Sequence, residues 1–284
     1  MRRIRLELCY DGAEYSGWQI QPNQANVKTV QGELQKAIRR VVGEDVDVLG
    51  SGRTDAGVHA LAQTAAFDTE STIPQETLAK AINAFLPPDI RIWRAFDVAP
   101  DFHPIRDVLR KRYRYLVSDS RPAFPFFRKY AWLVFRPLDL ELMRRAASAL
   151  LGEHDFSAFQ TQGSPRKTTV RTIYDVVVKR APLDVALSFP RLTDTDLASS
   201  TPKFPGAPEL TLFEVEADGF LYNMVRAIVG TLKLFGERRR GYDDPEFMRE
   251  IVASADRRKA GPTAPPHGLY MIDVVYPSDA RAKS

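Results

Sequence analysis

The sequence predicts an α+β fold with a mainly antiparallel sheet, and three observations support this prediction. Stretches with an apolar residue at every second position, typical of half-buried strands, occur along the whole chain. Stretches with apolar residues at helical spacing lie between them. The two kinds of segment do not alternate strictly, and their connections lack the crossover lengths of a parallel sheet. A mixture of helices and antiparallel strands is therefore favoured.

The first half of the chain opens with a strand and a capped helix. In IRLELCY, the apolar residues Ile4, Leu6 and Leu8 alternate with polar ones. The segment VQGELQKAIRRVVG predicts a helix that Thr29 caps and Gly43 ends. The remaining elements of this half are a strand at VDVLGSG, a strand at VHALAQTAAFDT, a helix that Pro74 starts and Pro87-Pro88 stops, and a strand at RIWRAFDVA.

The second half repeats this mixture after a break in regular structure at APDFHP. We therefore predict two domains, residues 1–105 and residues 106–284. The expected elements of the second are strands at KRYRYLVSD, VRTIYDVVVKR, TLFEVEADG and GLYMIDVVYP, and helices at LDLELMRRAASALLGEHDF (with Gly152 at its end), FLYNMVRAIVGTLKLFG and PEFMREIVASAD. Residues 190–208 are rich in Pro, Ser, Thr and Asp, which predicts a long inserted loop.

Composition limits the possible classes of protein. The chain has 284 residues, of which 44% are apolar, so it is long enough for a sizeable core. It lacks an apolar run of roughly 18 residues, and its N-terminus predicts a strand and not a signal peptide. One cysteine, Cys9, and four scattered histidines give no metal-ligand spacing and fit a reducing compartment. We expect a cytoplasmic protein without a membrane segment or a metal.

Basic residues cluster at three places, although the net charge is only +4. The first cluster, RDVLRKRYR, has Tyr113 among its cations, and Tyr115 follows directly after it. Cations interleaved with aromatic rings are typical of proteins that bind phosphates and exposed bases. A solvated charged surface is the alternative interpretation. The other two clusters are Arg238–Arg240 and Arg257–Lys259.

The segment GSGRTDAG at residues 50–57 is the strongest candidate for a catalytic site. Its glycines permit tight backbone geometry and close approach of a large substrate. The permanent charge of Arg53 favours the ionised form of Asp55 and predicts a lowered pKa. An ionised carboxylate suits a nucleophile or a base, whereas a general acid needs a raised pKa. The alternative is a turn in which Asp55 accepts bonds from backbone amides.

Two further segments have two interpretations each. The loop YDGAEYSGWQIQP carries aromatic residues that could stack on bases, or it is a strand-end loop with a core tryptophan. Arg226, in MVRAIVG, has apolar neighbours on its helix, so it either points inward to a partner or extends along the surface.

Taken together, these segments resemble the bacterial tRNA pseudouridine synthase A family. The strings that carry the resemblance occur in family order over nearly the whole chain: YDGAEYSGWQIQP, GRTDAGVHA, DFHP followed by KRYRY, FLYNMVRAIVG and GLYMIDVVYP. The resemblance implies isomerisation of uridine to pseudouridine in the anticodon stem-loop of tRNA, at positions 38–40, without cofactor or metal. It also implies a homodimer whose two pseudo-related halves share one continuous sheet, with helices on one face and the active-site cleft between the halves.

The resemblance also assigns roles to four residues. It implies that Asp55 is the catalytic aspartate and that Tyr113 stacks on the target base. Arg53 corresponds to the arginine that displaces the target nucleotide, and Arg226 to the basic residue that pairs with the catalytic carboxylate. The order Pro104-Ile105-Arg106 departs from the family pattern, so no role is carried over to Arg106.

Several alternatives stay open at this point. Asp55 could attack C1′ of the ribose or remove the 2′ proton, since both steps need an ionised carboxylate. The substrate could be another RNA or another site, and a non-catalytic RNA-binding protein could use the same basic residues. An aspartyl-nucleophile hydrolase should show a second acid or a carboxylate cluster, and GSGRTDAGVHA shows neither.

Overall fold

A computed structural model describes residues 1–21, 27–119, 125–161, 168–182, 186 and 209–277. The predicted loop at 190–208 lies outside these residues. The chain divides into two compact units, Met1–Lys111 with Tyr270–Ser284, and Arg112–Leu269. The predicted boundary lies at 105–106, whereas the structure places it at 111–112 and returns the C-terminal strand to the first unit. Within the described part, no helix is long and apolar enough to cross a membrane.

Ten strands and five α-helices are found in the described residues. In chain order they are β1 (Arg2–Tyr10), α1 (Val30–Val42), β2 (Leu49–Gly50), β3 (His59–Thr69), α2 (Gln75–Asn83), β4 (Ile90–Val98), β5 (Arg110–Ser118), β6 (Trp132–Leu133), α3 (Leu140–Ala147), β7 (Gly152–Asp155), β8 (Val170–Ala181), β9 (Leu210–Ala217), α4 (Met224–Gly236), α5 (Phe247–Ser254) and β10 (Leu269–Val275).

The sheet of the first unit has the strand order β4-β1-β3-β10. β1 runs antiparallel to both β3 and β4, β10 runs parallel to β3, and β2 forms a short antiparallel pair with β3. Ile4, Leu6 and Leu8 of β1 are fully buried, as their alternation predicts. α2 packs against β4 and α1 against α2.

Both ends of α1 match the prediction. The Thr29 hydroxyl accepts a hydrogen bond from the Gly32 N–H at 3.3 Å, and Gly43 ends the helix with a φ of 80°. The Gly43 N–H donates to the Arg39 carbonyl at 2.9 Å, which satisfies one of the carbonyls left over at the helix end.

The sheet of the second unit has the strand order β5-β9-β8-β7, with β6 parallel to β5. β8 is antiparallel to both β7 and β9. α3 packs against β8 and also contacts α4 and α5. Each unit therefore combines a mainly antiparallel sheet with helices, and the predicted α+β class is confirmed.

Three elements of the second unit differ from the prediction. α3 ends at Ala147 and a 3-10 turn follows, and Gly152 begins strand β7 with a φ of 95° where the helix was expected to run to it. α4 begins at Met224, because Asn223 takes a left-handed backbone conformation with a φ of 61° that cannot continue a helix back to Phe220. The two-residue strand β6 was not predicted.

Candidate active site

The Asp55 loop, defined as residues 51–58, connects β2 to β3. Its start is fixed because the Ser51 N–H donates to the Thr64 carbonyl of β3 at 2.7 Å. Its end is a turn in which the Val58 N–H donates to the Asp55 carbonyl at 3.1 Å and Gly57 has a φ of 77°. The loop presents a half-buried Asp55 and an exposed Arg53, two residues apart.

A second segment, the Tyr15 loop (residues 11–19), follows β1 and holds the Asp55 loop by main-chain bonds. The Trp18 N–H donates to the Thr54 carbonyl at 3.0 Å, and the Gly57 N–H donates to the Tyr15 carbonyl at 3.2 Å. These two bonds lie on either side of Asp55 in the sequence. The position of the catalytic candidate is therefore set by backbone atoms of another loop.

Gly17 is required where the two loops meet. It has a φ of 93°, and a Cβ at this position would lie 2.6 Å from the Thr54 carbonyl oxygen and 3.2 Å from the carbonyl carbon of Asp55. Only glycine combines this backbone conformation with such a close approach. This packing role of Gly17 was not predicted from the sequence.

Trp18 and Tyr15 belong to the core. Trp18 is 1% exposed, and its indole lies so close to Gly50 that a Cβ there would be 2.5 Å from the ring. Tyr15 is 3% exposed, and its hydroxyl donates to the Asp89 carboxylate at 2.5 Å. The interpretation as a strand-end loop with a core tryptophan is therefore correct, and base stacking by these two rings is wrong.

His59 joins the Asp55 loop to the strands around it, a role that was not predicted from the sequence. Its buried Nδ1 accepts from the Gly12 N–H at 3.1 Å and lies 3.1 Å from the Asp11 carboxylate, and its ring stacks on Tyr270 with centroids 4.8 Å apart. Its place in the string VHA, directly after the glycine-rich run, was the available signal.

Tyr113 lies on β5 in the second unit. It is 8% exposed, and its ring meets Phe220 edge to face, with centroids 5.0 Å apart and an interplanar angle of 84°. This is a favoured aromatic geometry that orients the Tyr113 ring. Phe220 precedes α4, although its position was predicted to be helical, and its contact with Tyr113 was not predicted.

Arg226 lies in the first turn of α4 and is half-buried. Its Nε donates to the Ala264 carbonyl at 2.7 Å, and its Nη1 donates to Asn223 Oδ1 at 2.6 Å. The Ala264 N–H in turn donates to the Arg226 carbonyl at 3.0 Å. The guanidinium is thus oriented by neutral acceptors of its own unit, which is closer to the partnered interpretation than to an arginine extended along the surface.

Two arginines of the cluster RDVLRKRYR form ion pairs inside the second unit. Arg112 lies 3.0 Å from carboxylate oxygens of Glu214, Glu216 and Asp175, and Arg114, which is 5% exposed, lies 2.6 Å from Glu214. Buried guanidinium groups need such partners. Neither a phosphate-binding role nor a solvated charged surface describes these two cations.

The four predicted site residues therefore fall into two pairs. Arg53 and Asp55 share one loop of the first unit, whereas Tyr113 and Arg226 belong to the second unit. The roles assigned to them by resemblance stay predictions. In the described residues, no group of three or more His, Cys, Asp or Glu side chains is placed to hold a metal ion.

Comparison with known proteins gives a consistent result. A family model described as tRNA pseudouridine synthase matches residues 9–105 and 146–277. Proteins named tRNA pseudouridine synthase A from a Thermoanaerobacter species and from Syntrophomonas wolfei are each 42% identical to the chain, over 97% and 99% of its length and 100% of theirs. The protein of that name from Myxococcus xanthus is 41% identical over 97% of this chain and 92% of its own.

Proposed function

The chain belongs to the tRNA pseudouridine synthase A family, and from this premise we propose that it isomerises uridine to pseudouridine in the anticodon stem-loop of tRNA with Asp55 as its catalytic residue. Enzymes of this family are isomerases. The observation that carries the assignment of Asp55 is its place in a glycine-rich loop that a second loop holds by backbone bonds on both sides. A catalytic group needs such fixed placement, whereas a carboxylate that only completes a turn does not.

The reaction requires one bond to break and another to form on the same ribose. The N1–C1′ bond of uridine is cleaved, the uracil rotates, and C5 bonds to C1′; C5 then loses its hydrogen and N1 gains one. An ionised Asp55 serves either as a nucleophile at C1′ or as a base for the 2′ proton. No redox step occurs, and atoms and charge balance without a further reactant.

The target base must leave the stack before it can react, which costs a few kcal/mol. We assign the compensating contact to the Tyr113 ring, since stacking of a base on an aromatic ring contributes about 1–3 kcal/mol. Phe220 holds that ring edge to face. Arg53 is exposed and carries the charge needed to occupy the space that the nucleotide leaves, and Arg226 is assigned to the catalytic carboxylate.

The partner of the enzyme is tRNA, and we propose that the protein works as a homodimer in the cytoplasm, where its substrate is made. The dimer is supported by the family resemblance alone. Light scattering on the purified protein measures it directly: twice the 32.0 kDa mass of one chain is expected, and a monomer at working concentration would contradict it.

The first experiment compares Asp55→Asn with the wild type and with a matched control, Asp47→Asn, which changes an exposed aspartate of the same unit. Release of tritium from tRNA labelled with [5-³H]uridine follows the loss of the C5 hydrogen. Asp55→Asn should abolish release while tRNA binding in a filter assay changes little, because the charge serves the reaction more than affinity. Asp47→Asn should behave as the wild type. Wild-type release retained by Asp55→Asn would contradict the catalytic role.

A second measurement addresses the site. Pseudouridine mapping in tRNA from cells that lack the gene should show uridine at the anticodon stem-loop positions that are modified in the parent. Loss of pseudouridine elsewhere would replace the proposed site. A wild-type protein that binds tRNA but releases no tritium would favour the RNA-binding alternative.

A further inference from the structure

We propose that the Tyr10 hydroxyl is a positioning group for Asp55 and acts through the side chain of Thr54, with Gln63 holding the other end of the same loop. The inference rests on the proposed function of Asp55. It adds three residues to the machinery of the reaction, and none of them was assigned a positioning role from the sequence.

The first contact joins the end of β1 to the residue before Asp55. The Tyr10 hydroxyl lies 2.7 Å from Thr54 Oγ1, and the two residues are 4% and 6% exposed. Burial raises the pKa of Tyr10 to about 12, so the hydroxyl is neutral at physiological pH and can donate or accept the bond. Buried hydroxyl groups that lose a partner are costly, so each holds the other in place.

The second contact is made by Gln63 of β3, which is fully buried. Its Oε1 accepts from the Ser51 hydroxyl at 2.6 Å, and its Nε2 donates to the Gly52 carbonyl at 3.0 Å. One buried amide therefore holds the start of the Asp55 loop through both Ser51 and Gly52.

These contacts enclose the two residues that carry charge. Gln63 holds Ser51 and Gly52 on one side of Arg53, and Tyr10 holds Thr54 on the other side, directly before Asp55. Threonine has a stiff χ1 torsion, so a bond that fixes its hydroxyl also restricts the backbone that carries it. Misplacement of a reacting group by about 1 Å can cost about 10²-fold in rate.

Main-chain bonds hold the loop independently of these side chains. The Trp18 N–H still donates to the Thr54 carbonyl, and the Gly57 N–H to the Tyr15 carbonyl, when the hydroxyl pair is removed. The fold should therefore persist in variants that lose only a hydroxyl, and the rate of the chemical step should report the finer displacement of Asp55.

The test is a double-mutant cycle with Tyr10→Phe and Thr54→Val, in which single-turnover tritium release, tRNA affinity and melting temperature are measured. Each single variant should release tritium about tenfold more slowly at nearly unchanged affinity, and the double variant should be no slower than either single one, because both remove the same bond. Thr54→Ser should retain most of the rate, since it keeps the hydroxyl. Tyr242→Phe is the control, because the hydroxyl of Tyr242 bonds the Lys259 carbonyl in the second unit.

The outcomes separate this inference from the proposed function. A wild type that releases no tritium contradicts the proposed function and the inference with it. An active wild type whose Tyr10→Phe and Thr54→Val variants stay within about twofold of its rate, or whose effects multiply, contradicts the inference alone. A lower melting temperature at an unchanged rate assigns the bond to stability and also overturns it.

Discussion

At the scale of single residues, Gly17 shows how closely the two loops around Asp55 fit. Two separate features exclude any other residue at this position. The backbone has a left-handed φ of 93°, and an added Cβ would lie 2.6 Å from the Thr54 carbonyl oxygen. Gly43, at the end of α1, has a similar φ of 80° but no atom within 4 Å of an added Cβ. Alanine substitutions at Gly17 and Gly43 therefore distinguish the energetic cost of the left-handed backbone from the cost of a steric clash.

We predict that Gly17→Ala lowers the free energy of unfolding by about 2–4 kcal/mol, since backbone strain and overpacking add. Gly43→Ala should cost only the backbone term of about 1–2 kcal/mol. Urea denaturation measures both. Tritium release should fall sharply in the first variant and stay normal in the second, and equal losses in the two variants would show that the loop contact is unimportant.

The contacts of the site could be predicted only in part from the sequence. Asp55 and Arg53 stand out because a charged pair in a glycine-rich run is visible within a few residues. Gly17 and the bond from Tyr10 to Thr54 join positions far apart in the chain, and their importance depends on how β1 and β3 pair. Local spacing contains no information on such a contact.

At the scale of elements, the segment at residues 261–264 packs against the first turns of α4 and limits which side chains fit there. The Gly261 N–H donates to the Thr231 hydroxyl at 2.8 Å, and the Ala264 N–H to the Arg226 carbonyl at 3.0 Å. A Cβ at Gly230 would lie 1.7 Å from the Pro262 carbonyl oxygen. The same contact that orients Arg226 therefore excludes a side chain one turn further along the helix.

We predict that Gly230→Ala lowers the free energy of unfolding by about 1–3 kcal/mol through overpacking, although alanine is the better helix former. Gly236→Ala in the same helix is the matched control, because its Cβ would meet the flexible Met143 side chain, with the sulfur 2.5 Å away. That variant should change stability by less than the first in the same denaturation experiment. A stabilised Gly230→Ala variant would contradict the close contact.

Elements with strong local signals were predicted well. α1 has both a capping threonine and a terminal glycine, and β1 alternates cleanly, so each is specified by its own residues. β6 and β7 have two and four residues, and they exist because a neighbouring strand pairs with them. GEHD therefore carries little structural preference of its own, and the helix that was predicted to end at Gly152 ends at Ala147.

At the scale of the whole molecule, carboxylates with lowered pKa values occur in both units. The Arg3 guanidinium hydrogen-bonds Asp68 and lowers its pKa, and the backbone N–H of His103 does the same for Asp107. In the second unit, the backbone N–H of Leu142 lowers the pKa of Asp139, which caps α3. All three groups are only half-buried, so solvent screens their interactions and each contribution is modest.

The sign of the pH dependence follows from these shifts. A carboxyl whose pKa is lower in the folded state stabilises the fold above its unfolded pKa, near about 4, and this stability is lost as the pH falls through the folded pKa. We predict a melting temperature that declines progressively below pH of about 4, measured by circular dichroism. Asp68→Asn should flatten part of that decline, and a melting temperature unchanged down to pH of about 3 would contradict the prediction.

The family and the fold class could be predicted from the sequence because ordered motifs and periodicity extend over nearly the whole chain. The partners of its basic residues could not be predicted in this way. Arg112 and Arg114 look like part of a phosphate-binding cluster, yet carboxylates of β8 and β9 neutralise them. Net charge only sums over residues. Which cations already form ion pairs depends on the pairing of the strands.

The hydrogen bonds between the Tyr15 loop and the Asp55 loop affect which substitutions this sequence can accept during evolution. These bonds join peptide groups, and every amino acid except proline supplies both the donor and the acceptor. The side chains along this stretch can therefore drift without releasing Asp55, provided that they still fit their surroundings. Gly17 cannot be replaced in this way, because backbone atoms of the Asp55 loop already fill the space that a side chain at this position would need.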